Sequence, residues 1–276
     1  MGPNHLVAQH RGPADAGLGV PEAGVLLLAA FAAAVGAAIN SVAGGGTLVT
    51  FPMIVALGVD PLVANATSRL SLLTGALGGV WGYRAQLART QSWLVPFSVP
   101  SVLGGLAGGW LVLMTGSRTF SQIVPFLVLG ATVLFMVQGP IVRWLRQRPG
   151  ASGAADQPVR AGPVFLVSQF LVGVYGGYFG AGMGIIMLAV LGILGFTNIH
   201  EMNGLKSWGG LLTTVAAGIL FAGGGVVLWP VAFAMAVGSL VGGYGGSVLA
   251  QRVGAVWVHR AVVAVGLGSF VWLMLR

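Results

Sequence analysis

The sequence predicts an all-α polytopic membrane protein built from two inverted repeats of about five hydrophobic segments each, giving 8–10 helical segments. Three observations carry this. Hydrophobic residues make up 56% of the 276 positions and charged residues only 7%, against roughly a quarter charged in soluble domains. Apolar runs recur at about the 20-residue length that crosses roughly 30 Å of hydrocarbon, whereas the short alternating segments of a transmembrane β-barrel are missing from the pattern. Polar and glycine positions of the first half also recur in register in the second.

Taken in order, residues 1–22 hold Gly, Pro, His and Ala without periodicity and read as a mobile tail rather than a cleavable signal. Apolar segments follow at about 23–43, 47–59, 62–82, 92–115 and 120–143. A polar linker, 144–162, carries Arg146, Arg148, Pro149, Gly150, Asp156, Pro158 and Arg160. The second set covers about 163–182, 184–196, 200–222, 226–250 and 255–275, so the repeats run over 23–143 and 163–276. A shift of 138 residues lays Ala43-Gly44-Gly45-Gly46 on Ala181-Gly182-Met183-Gly184, Asn65 on Asn203, and Ser68-Arg69 on Lys206-Ser207. A shift of 134 lays Pro96 on Pro230, and Gly104 and Gly108 on Gly238 and Gly242. Chance matching among 47 glycines does not account for the Asn, Pro and cationic matches, and internal symmetry of this kind marks duplicated transporter folds.

The net charge of +8 is scattered through connections rather than gathered on an amphipathic face, which argues against nucleic acid as a partner and for a role in topology. Arg84, Arg89 and the linker belong in the cytoplasm by the positive-inside rule, whereas the uncharged connection at 221–225 belongs outside. Both termini then lie outside, with Arg118 a mild exception. Trp81, Trp93, Trp144, Trp229, Trp257 and Trp272 fall near segment ends, as interfacial indoles do. The absence of cysteine excludes disulfides and thiol chemistry. No metal cluster, cofactor motif or P-loop is visible, so none is assigned.

Chemistry concentrates at two places in each repeat. The short second segment follows a glycine cluster and, at about 13 residues, reaches only about 20 Å. It is therefore part of a re-entrant hairpin or a broken helix. Helix N-termini at such breaks, opened by Gly44, Gly45, Gly46 and Thr47 in one half and by Gly182, Met183 and Gly184 in the other, suit an anion. Close helix packing is the competing use of the glycines. Asn40 and Ser41 before one cluster, and Tyr175 and Tyr178 before the other, add polar groups.

The third segment carries Asn65, Thr67, Ser68 and Arg69, matched by Asn203, Lys206 and Ser207. Each set combines an amide, a hydroxyl and a cation within about a turn, the mixture an oxyanion needs. Lys206 is the sole lysine in the chain, and a cation at bilayer depth costs roughly 2.5–3.5 kcal/mol on insertion scales. Snorkelling from a helix end is the competing role for both cations. Glu201 and His200 are open between proton coupling, pairing with Lys206 and N-terminal capping. Asp60-Pro61 reads as an N-cap and N1 proline.

The run Asn40-Ser41-Val42-Ala43-Gly44-Gly45-Gly46-Thr47, then Pro52, Gly58 and Ala64-Asn65-Ala66-Thr67-Ser68, resembles the TauE/SafE sulfite exporter family of membrane permeases. So does Gly173 to Gly184 in the second half, where Met183 departs from the plain glycine run common in the family. The likeness covers roughly residues 24–275. It implies a secondary transporter that exports sulfite or an organosulfonate across a bacterial inner membrane, as a monomer or homodimer in the lipid bilayer. Competing readings are an anion channel, a permease of the same fold for another small anion, a membrane-embedded enzyme, for which no convergent catalytic set is visible, and a non-transporting scaffold.

Overall fold

A computed structural model describes residues 23–43, 45–147, 162–196, 198–253 and 255–276, so the tail at 1–22 and most of the linker lie outside the described residues. Every regular element among the described residues is helical. The helices are α1 (Ala23–Ala43), α2 (Thr47–Ala56), α3 (Pro61–Ser71), α4 (Leu73–Gly82), α5 (Arg84–Arg89), α6 (Gln91–Gln147), α7 (Pro163–Tyr178), α8 (Met183–Ile193), α9 (Ile199–Gly223), α10 (Trp229–Val253) and α11 (Ala255–Leu275).

Local chemistry explains the boundaries. Asp60 accepts from Leu62 N at 2.9 Å and Val63 N at 3.3 Å, with Pro61 at the first helical position, so α3 starts where the Asp-Pro pair requires. The expected segment 62–82 is not one helix. It is interrupted at Leu72, between α3 and α4. Ser71 Oγ donates to Ser68 O at 2.7 Å and Thr74 Oγ1 to Ser71 O at 3.1 Å, and hydroxyls bonding back to their own helix favour such irregularity. The expected segments 92–115 and 120–143 are the two helical parts of α6, separated at Gly116, whose φ of 70° and ψ of 161° are not helical and are open to glycine. The segment expected at 163–182 stops at Tyr178.

Two helices, Gln91–Ile141 and Ile199–Gly223, are by length and composition long and apolar enough to cross a membrane. The short helices α2 (10 residues) and α8 (11 residues) reach only about 15–17 Å each, too short to cross roughly 30 Å of hydrocarbon alone. Phe31, Val95, Leu103, Trp110, Val164 and Phe233 are exposed. Apolar surface on this scale suits hydrocarbon rather than water.

Small residues allow the tightest contacts. A Cβ added at Gly104 would lie 2.8 Å from Gly173 Cα, and one at Gly108 would lie 2.8 Å from Gly177 Cα. The four glycines thus bring the backbones of α6 and α7 together as two small-xxx-small stripes. Gly238 and Gly242 of α10 meet the backbone of α1 at Ala30 and Ala34 in the same i, i+4 pattern. The first helix of each half therefore packs on the fourth segment of the other half, twice, through matching glycines. On their other flank Gly105 and Gly109 face Thr213, Ala216 and Ala217 of α9, so the first part of α6 is wedged between α7 and α9.

This packing predicts that Gly108→Ala destabilises the protein in mild detergent by about 1–3 kcal/mol, the usual cost of overpacking. Gly130→Ala, where an added Cβ meets nothing within 4 Å, is expected to leave stability unchanged or slightly raised. Denaturant titration followed by far-UV circular dichroism checks both.

Candidate functional site

The second-half break lies between α7 and α8. Gly180 (φ 80°) and Gly182 (φ 78°) turn the chain through left-handed conformations, which only glycine adopts without strain. A helix that stops here leaves its last carbonyls without intrahelical partners, and at bilayer depth those groups need protein partners. The partners come from the first half. Asn65 Nδ2 donates to Tyr178 O at 3.0 Å, and Arg69 Nη1 donates to Gly176 O. The Arg69 guanidinium also lies so close to Gly180 that any side chain there would collide with it. Tyr175 Oη closes the turn by donating to Ala181 O at 2.5 Å.

Lys206, half-buried on α9, approaches the same break from its far end. A Cβ at Gly184 would lie 3.1 Å from Lys206 Cδ, so the lysine stem rests on the first turn of α8. Positions 180 and 184 are four residues apart, at most about 14 Å even in extended chain. The two cations predicted from different halves therefore touch one stretch of backbone. Met183 Sδ occupies the space over Gly176, so the methionine that breaks the glycine run fills a pocket made by another glycine. Tyr178 Oη donates to Thr115 Oγ1 at 3.4 Å and points away toward α6.

Other predicted residues are engaged elsewhere. Thr67 Oγ1 accepts from Leu228 N at 3.1 Å, tying α3 to the start of α10. Ser68 Oγ donates to Ala64 O, and Asn203 Nδ2 to Ile199 O at 2.8 Å, both on their own helices. Ser207 Oγ faces Gly79 on α4. At the first-half break, Gly45 has φ 91° and Gly46 precedes Thr47 at the start of α2. Leu48 N donates to Gly45 O at 2.9 Å, and Val49 N and Thr50 N both donate to Gly46 O at 3.0 Å. Met183 N and Ile185 N are likewise taken by Gly180 O and Gly182 O, at 3.2 and 3.0 Å. Of the amides expected to face an anion, Met183 N is thus spent on the turn. The side chains of Asn40 and Ser41, and Gly44, lie outside the described residues.

Two buried polar atoms at the α7–α8 break have no partner: Asn65 Oδ1 and Arg69 Nε. Asn65 is 0% and Arg69 5% exposed. Sequence reasoning named both residues but missed Gly176 and Gly180, whose carbonyl and missing side chain receive the guanidinium. The signal was there, since Gly176 and Gly180 form one more small-xxx-small pair ahead of Gly182. An open apolar groove of about 720 Å³ runs beside α4, lined in part by Leu77, Trp81, Leu94, Trp208 and Leu240, and neither cation lines it.

At the start of α9, Asn198 accepts from His200 N at 3.0 Å and Glu201 N at 3.5 Å, while Glu201 Oε1 accepts from Asn198 Nδ2 at 3.1 Å. Asn198 thus N-caps α9 through its side-chain oxygen, while its side-chain amide holds the Glu201 carboxylate. This contact turns Glu201 back on Asn198 rather than toward Lys206. Asn198→Ala should therefore cost about 1 kcal/mol of stability in denaturant titration, and Glu201→Gln should keep wild-type transport across the pH range. A shifted pH profile of flux in Glu201→Gln would assign the proton instead.

The chain matches the family model described as sulfite exporter TauE/SafE over residues 28–273. It is 30% identical over 231 residues to a probable membrane transporter protein of Haemophilus influenzae, covering 82% of this chain and 85% of the relative. It is 28% identical over 243 residues to the probable membrane transporter protein YfcA of Escherichia coli, covering 85% and 84%. It is 27% identical over 252 residues to the probable membrane transporter protein ORF9 of a Sinorhizobium species, covering 90% and 91%. No solved structure matches the chain. With the family model spanning nearly every described helix, this chain belongs to the TauE/SafE sulfite exporter family of membrane transporters.

Proposed function

We propose that the protein is a secondary transporter that exports a small sulfur oxyanion, sulfite or an organosulfonate, across a bacterial inner membrane by alternating access. The observation that carries this is the meeting of Arg69 from the first half and Lys206 from the second on one helix break. Charge at that depth is costly and marks a pathway or binding site by default. A cation drawn from each half is what an anion site at a repeat interface requires. Asn65, Tyr175 and the turn at 180–184 complete the site.

The reciprocal glycine packing of α6 on α7 and of α10 on α1 supports reading the halves as an inverted repeat, because a two-fold operation exchanges these two contacts. The linker then lies in the cytoplasm and both termini outside. Alternating access would separate and rejoin the break and the cations that serve it. Export needs no ATP, since an inside-negative potential expels anions at about 2.3 kcal/mol per charge per 100 mV. The near-complete burial of Arg69 favours a carrier that occludes its substrate over an open anion channel. The family likeness supports a sulfur oxyanion over other small anions.

Proteoliposome flux tests the reading. Arg69→Gln keeps a donor for Gly176 O but removes the charge, and Lys206→Met keeps a stem on Gly184. Each should lower sulfite or sulfonate flux by about 10- to 100-fold, the worth of one charge-assisted interaction of about 1.5–3 kcal/mol, while size-exclusion behaviour is preserved. Wild-type flux in both variants would refute the site. Large unitary currents would identify a channel, and saturable flux confined to another anion would reassign the substrate.

A further inference from the structure

We infer that this site selects an anion carrying its own hydrogen-bond donor, such as hydrogensulfite or an amino- or hydroxy-sulfonate, over anions that can only accept. The inference rests on the site proposed above and goes beyond it by naming which protonation form and which sulfonates fit.

The argument is one of hydrogen-bond sense. Asn65 Nδ2 is committed to Tyr178 O at 3.0 Å. A carbonyl only accepts, so the amide cannot be flipped, and its oxygen is the atom left over. That oxygen, Asn65 Oδ1, is buried and unpartnered, and so is the donor Arg69 Nε. The two residues are four apart on α3, hence on one face, and both reach the last turn of α7. A ligand that satisfies the pair must accept from Arg69 and donate to Asn65. A fully deprotonated oxyanion satisfies the arginine, but it sets lone pair against lone pair at Asn65. An unmet buried acceptor costs about 1–3 kcal/mol. Hydrogensulfite, with one O–H beside charged oxygens, meets both demands, as does a sulfonate whose amine or hydroxyl reaches back. Among the described residues no carboxylate is placed to supply the missing proton. From α7 the titratable groups are Tyr175, which donates to Ala181 O, and Tyr178, which donates to Thr115. From α9 they are Lys206 and, at its start, His200 and Glu201, whose carboxylate accepts from Asn198. From α6 come exposed Arg118 and Arg143, α2 carries none, and Asp60 is held at the start of α3 by Leu62 N, Val63 N and Ser117 Oγ.

The test compares matched anions on the full-length protein, by thermal stabilisation in detergent and by competition in proteoliposomes. Isethionate carries a donor hydroxyl, whereas ethanesulfonate and propanesulfonate, of the same charge, carry none. Isethionate should bind at least about 5-fold more tightly than ethanesulfonate, the lower end of the unmet-acceptor cost. Sulfite binding should fall as pH rises through its second ionisation, while isethionate binding stays level over the same range. The level isethionate response separates titration of the ligand from titration of the protein. Asn65→Leu should erase the preference; the wild-type comparison decides the matter even if that variant misfolds. Equal binding of ethanesulfonate and isethionate, or sulfite binding that grows with the dianion, would overturn the inference and leave Asn65 Oδ1 to a water. Binding of hydrogencarbonate or dihydrogenphosphate without any sulfur anion would sink the substrate proposed above and uphold this preference. No binding of any donor-bearing anion would sink the preference itself.

Discussion

A helix that ends within a packed apolar bundle leaves carbonyls that need protein partners, and the break after Tyr178 is where this protein meets that constraint. The solution brings Asn65 and Arg69 across from the other half. One set of contacts therefore has two consequences. It stabilises an interrupted helix, and it draws a guanidinium into a place where an isolated charge would be unfavourable. Lys206 lays its stem on Gly184, in the first turn of the helix that follows the break. Capping and anion attraction are not rival explanations here. A cation fixed by helix carbonyls on one edge still offers its remaining N–H groups and its charge to a ligand on another.

The glycines make that geometry reachable. Gly104, Gly108, Gly173 and Gly177 let α6 and α7 approach until backbone meets backbone, so the end of α7 is held firmly while the turn that follows it is irregular. Gly180 serves a different purpose, since it combines a positive φ with the space that Arg69 fills. Apolar packing carries the connection between halves further: Phe51 of α2 meets Phe179 edge-on with centroids 5.6 Å apart, placing an aromatic contact beside the polar one. The result is a rigid frame around a break that is held mainly by hydrogen bonds, an arrangement suited to local rearrangement within a stable bundle.

Much of this was legible in the sequence because membrane constraints are severe. The apolar runs, the Asp60-Pro61 start, the glycine clusters and the two isolated cations all stand out against an apolar background. Two things were not legible. The interruption at Leu72 coincides with hydroxyl back-bonding by Ser71 and Thr74, which competes only slightly with a continuous helix. The spending of Ser68 and Asn203 on their own helices is a choice of rotamer, invisible in a residue pattern that is equally compatible with both pointing at a ligand.

The central claim is that charges from two halves of the chain converge on one helix break to hold an anion. The most direct measurement is a cryo-electron microscopy structure in lipid nanodiscs, with and without sulfite at saturating concentration. The account requires Arg69 and Lys206 to flank residues 176–184 and sulfite-dependent density to lie between them, within reach of Asn65 and Arg69. Side chains of Arg69 and Lys206 turned toward opposite water layers, with packed hydrocarbon between them in both maps, would contradict it.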